Sequence, residues 1–173
     1  MAAVCTDPAS EVINALIVAL RDAFDPAGPC PIDSTATPTV RFFAGDTEPP
    51  AAWNAHAQTA GCDEPLLWVR VVKRYRSDRF PDQTTVVDDC KTMRVVVVEV
   101  GIARCAVVDA DPSWDDYATE AEVSLDDSRR IEKALCAAVT ALRQDHRAGY
   151  ESILPFGPEG GILGWTAQVL ASF

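Results

Sequence analysis

Apolar and polar positions along the chain follow two periods. In DPASEVINALIVALRDAF (7–24), Val12, Ile13, Leu16, Ile17, Leu20 and Phe24 recur at three- and four-residue steps, the stripe of an amphipathic helix. Asp7 is placed to cap it, Pro8 suits its first position, and Glu11 complements the N-terminal dipole. DPAGPCP then ends it. A second helical pattern fills SLDDSRRIEKALCAAVTALRQDHRAG (124–149), with Ile131, Leu135, Ala138, Val139 and Leu142 as its stripe. Ser124 and Asp127 have capping-box spacing, Arg143, His146 and Arg147 suit the far dipole end, and Gly149 terminates the helix. The acidic stretch 109–123 reads as a loop or helix lead-in.

Between and after these helices the period changes to two. TVRFFAG (39–45) reads as a short strand. The segment 46–65 reads as a surface loop with one helical turn near Trp53, and 77–92 as a second polar connection. LLWVRVVKRYR (66–76) alternates, with Leu67, Val69, Val71 and Tyr75 on one face and Leu66, Trp68, Arg70, Val72, Arg74 and Arg76 on the other. A face that mixes Trp with Arg admits two readings: a surface for a partner, where both types are enriched, or arginine stems lying over a half-exposed sheet.

MRVVVVEVGIARCAVV (93–108) is the strongest strand. Val96, Val98, Val100 and Ile102 share one face, Val95, Val97, Ala103 and Cys105 the other, with Glu99 interrupting. Apolar on both faces, it reads as a central strand covered on one side by the chain's helices and on the other by a neighbouring subunit. YESILPF (150–156) and ILGWTAQVLAS (162–172) are two more strands, the latter carrying Leu163, Trp165, Ala167 and Val169 on one face. GPEGG (157–161) between them is a sharp turn, in which Pro158 presets φ and Gly160 and Gly161 take positive φ.

The pattern predicts an α+β fold of one domain over 1–173: a mixed, mostly antiparallel sheet backed by two helices. The 173 residues are 48% apolar and 24% charged, the balance of a globular chain. No run is long and apolar enough to span a membrane, and the N-terminus lacks a signal-peptide pattern. With 15 Lys and Arg against 26 Asp and Glu, the net charge is −11. Such a chain is a poor ligand for nucleic acid, although an acidic wall would let DNA slide past ungripped.

Six cysteines, Cys5, Cys30, Cys62, Cys90, Cys105 and Cys136, are expected to be free thiols, with Cys105 and Cys136 acting as small core hydrophobes. Cys30, His56 and Cys62 offer the elements of a metal site but lack short ligand spacing. His56 and His146 are the only histidines. Adjacent acids such as Asp88–Asp89, Asp115–Asp116 and Asp126–Asp127 suit solvated loops and helix starts better than paired catalysis. No nucleophile, metalloprotease or deaminase motif occurs, so no catalytic, metal or cofactor residue is assigned and an enzyme is not expected.

The order of segments carries a resemblance. An N-terminal helix, a strand, a long cysteine-containing loop, LLWVRVVKRYRSDRFP, VVVVEVGIARCAVV, a second helix and then LPFGPEGGILGWTAQV resemble the tail terminator proteins of long-tailed actinobacterial phages. The Gly-Pro-x-Gly-Gly turn before a Trp-bearing strand carries most of the likeness. Gly101, Arg104 and Cys105, matching a strand that ends Gly-x-x-Arg-Cys, carry the rest. The likeness spans roughly the whole chain.

The resemblance implies a ring, usually six-fold, on the head-proximal end of the finished tail, which stops tube polymerisation and presents a surface to the head. Its partners would be further copies of the chain, the major tail tube protein and the head–tail connector or stopper. DNA would cross the lumen without specific binding, no membrane would be involved, and the protein would belong to the virion after assembly in the host cytoplasm. Residues expected at subunit or tail interfaces are Trp68, Arg70, Arg74, Arg76, Gly160, Gly161 and Trp165. A different neck component, or a small metal-binding domain around Cys30, His56 and Cys62, are the alternatives.

Overall fold

The structure, a computed structural model, describes residues 6–28, 36–44, 50–85, 91–108 and 111–173. The long apolar strand sets the architecture. Strand β3 (Met93–Cys105) is buried from Val95 to Ala103 and takes the middle of a six-stranded sheet. Around it run β1 (Val40–Phe43), β2 (Leu66–Ser77), β6 (Ile162–Ser172), β4 (Ala148–Tyr150) and β5 (Leu154–Glu159). The order is β1-β2-β3-β6-β4, with β5 also on β6. Among the described residues, only β1 and β2 run parallel; the other pairs are antiparallel. The architecture is the α+β mixed sheet expected from the sequence.

Two helices, α1 (Ala9–Ala23) and α3 (Trp114–Leu142), cover one face of this sheet. Their stripes, among them Val12, Leu16, Leu20, Ile131 and Leu135, pack onto Leu67, Val69, Val96, Val98, Val100, Ile102 and Val169. Helix α1 begins one residue later than its cap suggests, but Asp7 does the capping. Its Oδ1 accepts the Ala9 N–H at 3.1 Å, and Pro8 is already helical in φ and ψ.

The opposite face has its own cover within the chain, which corrects the expectation that a neighbouring subunit supplies it. Segment 46–65 contains a full helix, α2 (Pro50–Ala60), rather than a single turn. It links the parallel pair β1 and β2, a connection that needs a crossover. Trp53 from α2 packs with Leu66, Trp68 and Ala103 in a second, smaller core.

Helix α3 starts ten residues before the predicted position. Its N-cap is Ser113, whose Oγ accepts the Asp116 N–H at 3.2 Å while Asp116 Oδ2 accepts the Ser113 N–H at 2.8 Å. This is a capping box of the same Ser-x-x-Asp form as Ser124–Asp127. Ser124 and Asp127 instead lie inside the helix: Ser124 Oγ accepts the Trp165 indole N–H at 2.9 Å, and Asp127 is tied to Arg104. The helix also ends earlier, at Leu142, and Gly149 belongs to β4.

Candidate assembly surfaces

Strand β2 places its arginines on two different faces, because the register with β3 slips between Val71 and Lys73. A bulge at Val72 puts one extra residue into β2, and every side chain beyond it changes sides. Trp68 and Arg70 therefore face α2, whereas Arg74, paired with Val96, faces α1, with Arg76 two residues on. Tyr75 moves the other way. The single Trp/Arg face expected from strict alternation does not form.

Trp68 and Arg70 are interior residues, 1% and 6% exposed. Arg70 grips Glu99, its direct neighbour across the strands, through Nε–Oε1 at 2.6 Å and Nη2–Oε2 at 2.8 Å. The Trp68 indole N–H donates to the same Glu99 Oε1 at 3.1 Å. Glu99, which breaks the valine run in the sequence, thus serves as the acceptor for two buried donors. A buried carboxylate needs such partners, because removing its hydration is costly. Trp68 and Arg70 are therefore core ties rather than exposed interface residues in this structure.

The Gly-x-x-Arg-Cys strand end has a structural reason at each residue. Gly101 lies under the Trp68 ring, where a β-carbon would stand 2.7 Å from Cε2. Arg104 holds buried Asp127 of α3 with two bonds, Nε–Oδ2 at 2.6 Å and Nη2–Oδ1 at 2.9 Å. Burial pushes the Asp127 carboxyl up from its ordinary value, against the pull of Arg104. Cys105 is bonded to Cys62 in a disulfide with a Cα–Cα distance of 5.5 Å. That bridge corrects the expectation of free thiols at both positions and the reading of Cys105 as a plain core hydrophobe. Cys136 is a free, exposed thiol rather than a core residue, and Cys5, Cys30 and Cys90 lie outside the described residues.

The bridge also takes Cys62 from the Cys30–His56–Cys62 metal alternative. His56 Nε2 donates to the Glu64 carbonyl at 2.8 Å and its ring packs beside Trp53. Among the described residues, no three His, Cys, Asp or Glu side chains converge as metal ligands.

The turn before the last strand is narrower than 157–161. Strand β5 runs to Glu159, which pairs with Ile162, so only Gly160 and Gly161 connect the two strands. Their φ values, +60° and +76°, are those of a two-residue type I′ hairpin turn. Within the chain a β-carbon at Gly160 would meet nothing. Trp165 is half-buried beside the helix-side core.

The surface that sequence reading missed is the start of α3. Trp114 is 87% exposed and Leu125 69%, with Tyr117 also exposed and its ring 6.0 Å from that of Trp114. With Ala118 and Ala121 they form an apolar stripe at steps of three and four, pointing away from the sheet. Residues 114–127 hold six acids and no Lys or Arg. The signal was present: Ser113-x-x-Asp116, followed by apolar residues at 114, 117, 118, 121 and 125. The stripe borders a groove of about 810 Å³ between α3 and the β4–β5 edge, floored by Leu125, Ile153 and Trp165.

At the other end of the sheet, Arg74, Arg76 and Arg94 line a cleft of about 600 Å³ with Tyr75 and Phe173. Arg74 binds Asp7 at 2.6 Å, and the hydrogen bond from Arg74 holds the Asp7 carboxyl below its ordinary value, helped by the Ala9 N–H. Among the described residues, no helix is long and apolar enough to cross a membrane. Compared with protein-family models and with curated proteins, the chain matches none.

Proposed function

We propose that this chain is a structural virion protein, the tail terminator of a long-tailed phage. It forms a ring at the head-proximal end of the tail tube, six-fold in the pattern of the proteins it resembles. There it stops tube polymerisation and offers the surface that the head connector meets. The observation that carries this reading is the apolar stripe of α3, whose Trp114 is 87% exposed. A large aromatic held in open solvent on a well-capped helix marks a contact surface, since Trp is among the strongest interface anchors.

Two further features support the reading. The buried ionic groups, Arg70–Glu99 and Arg104–Asp127, tie strands and helix together. Strong internal ties suit a part that must hold its shape under load. The net charge of −11 suits a lumen that DNA crosses without adhering. The test is complementation of a phage lacking the gene, scored by electron microscopy. Wild-type protein restores tails of uniform length joined to heads. Trp114→Ala, if folded, gives overlong or headless tails. Complementation by Trp114→Ala equal to wild type would remove the supporting observation.

A further inference from the structure

We infer that the apolar start of α3 docks into the Arg74–Arg94–Phe173 cleft of a second copy of the same chain. This rests on the ring reading and supplies the surfaces by which one subunit would hold the next. The argument is charge complementarity. Trp114, Tyr117 and Leu125 are flanked by Asp115 and Glu122, with no cation in 114–127. Two such faces cannot pair with each other, because acids would meet acids across the contact. The partner surface must be cationic and must accept aromatic rings.

The cleft at the opposite end of the sheet has that chemistry. Among the described residues, Arg74, paired with Asp7, and Arg94 line it beside Phe173. Arg74 and Arg94 stand over the Phe173 ring, 5.3 and 4.8 Å from its centre. Planar guanidinium groups beside an aromatic ring stack readily on a further indole and bind carboxylates through the same fork. Trp114 would stack on the outer side of the guanidinium groups, away from Phe173, and Asp115 would meet Arg94.

One chain cannot fill its own cleft. Arg94 is at the start of β3, whereas α3 begins beyond the end of β3, which is about 36 Å away at strand rise. The contact is therefore between two different surfaces. A head-to-tail interface repeats from copy to copy and closes into a ring when the rotation allows.

The experiment uses the purified chain without tails. Sedimentation at high concentration and low salt is expected to show association that weakens as salt rises. Trp114→Ala with Asp115→Lys disables the helix side, and Arg94→Glu disables the cleft side. Each alone should weaken association by about 30-fold or more, the size expected of a hot spot. Mixed, they should form one-to-one dimers and nothing larger, since each pair retains one intact contact. Circular dichroism melting checks that both fold, and Arg94→Ala replaces Arg94→Glu if it does not.

Wild-type protein that stays monomeric under these conditions overturns the inference. So do mixtures that fail to dimerise, or association that neither variant changes. The last result would leave the ring reading standing while assigning it to another surface.

Discussion

Gly101→Ala tests the packing that this fold is built around. The new β-carbon would lie 2.5 Å from Trp68 Cη2 and 2.7 Å from Cε2, well inside contact distance. Trp68 cannot yield cheaply. Its ring is buried against Phe156, with centroids 6.0 Å apart, and its N–H is held by Glu99. Overpacking of this kind costs about 1–3 kcal/mol. Displacing the indole would also weaken a hydrogen bond to a charged acceptor, worth about 1.5–3 kcal/mol. Replacing Gly by Ala within a strand returns about 0.5–1 kcal/mol.

The expected net loss is about 3 kcal/mol, a large part of a typical folding stability of about 5–15 kcal/mol. The decisive measurement is a double-mutant cycle by urea denaturation. In a Trp68→Leu background the ring is gone, so Gly101→Ala should be neutral or slightly stabilising, and the coupling should approach 3 kcal/mol. An equal cost of Gly101→Ala in both backgrounds would show that the clash is not with the indole.

Peptide mapping without reductant should recover Cys62 linked to Cys105. Cys105→Ser should lower stability by about 4 kcal/mol, the chain-closure value for a separation of 43 residues; recovery of both as free thiols would count against the bridge. Hydrogen bonds from the Ser113 hydroxyl and N–H hold the Asp116 carboxyl below its ordinary value. Because its folded pKa lies below the unfolded one, its stabilisation is present above about pH 4 and lost as pH falls through the folded value. Amide exchange at the start of α3 should accordingly accelerate in acid, and Asp116→Asn should give the same acceleration at pH 7. Gly160→Asn should be tolerated within a few tenths of a kcal/mol, whereas Gly161→Val should cost about 1–3 kcal/mol in thermal melts, since only the former tolerates positive φ; equal effects would exclude the type I′ turn.

Periodic segments were legible in the sequence, and what interrupts a period was not. Val96, Val98, Val100 and Ile102 announced their common face, as did Trp165, Ala167 and Val169. The positive φ of Gly160 and Gly161 followed from residue type alone. The bulge at Val72 leaves no mark in the alternation of LLWVRVVKRYR, which puts Arg74 and Arg76 on the face of Trp68, whereas they lie across the sheet from it.

Two Ser-x-x-Asp boxes stand eleven residues apart, and sequence reading takes in only the later one, Ser124–Asp127, which the buried stripe follows. The earlier box caps the helix, and the segment between carries its apolar residues outward, where burial gives no guide. Cys62 and Cys105 are 43 residues apart and meet only through the packing of α2 against the sheet, a pairing that no spacing rule reveals.

The proposal that this protein ends a growing tail is put to the test by tube assembly in its presence. Under the proposal, purified protein added to polymerising tail tube protein of its cognate tail should give tubes of limited length. An extra ring should be visible at one end by negative-stain electron microscopy, and the Trp114→Ala chain should give fewer capped tubes. Tubes that grow to the same length with and without the protein, and carry no added layer at either end, would contradict it.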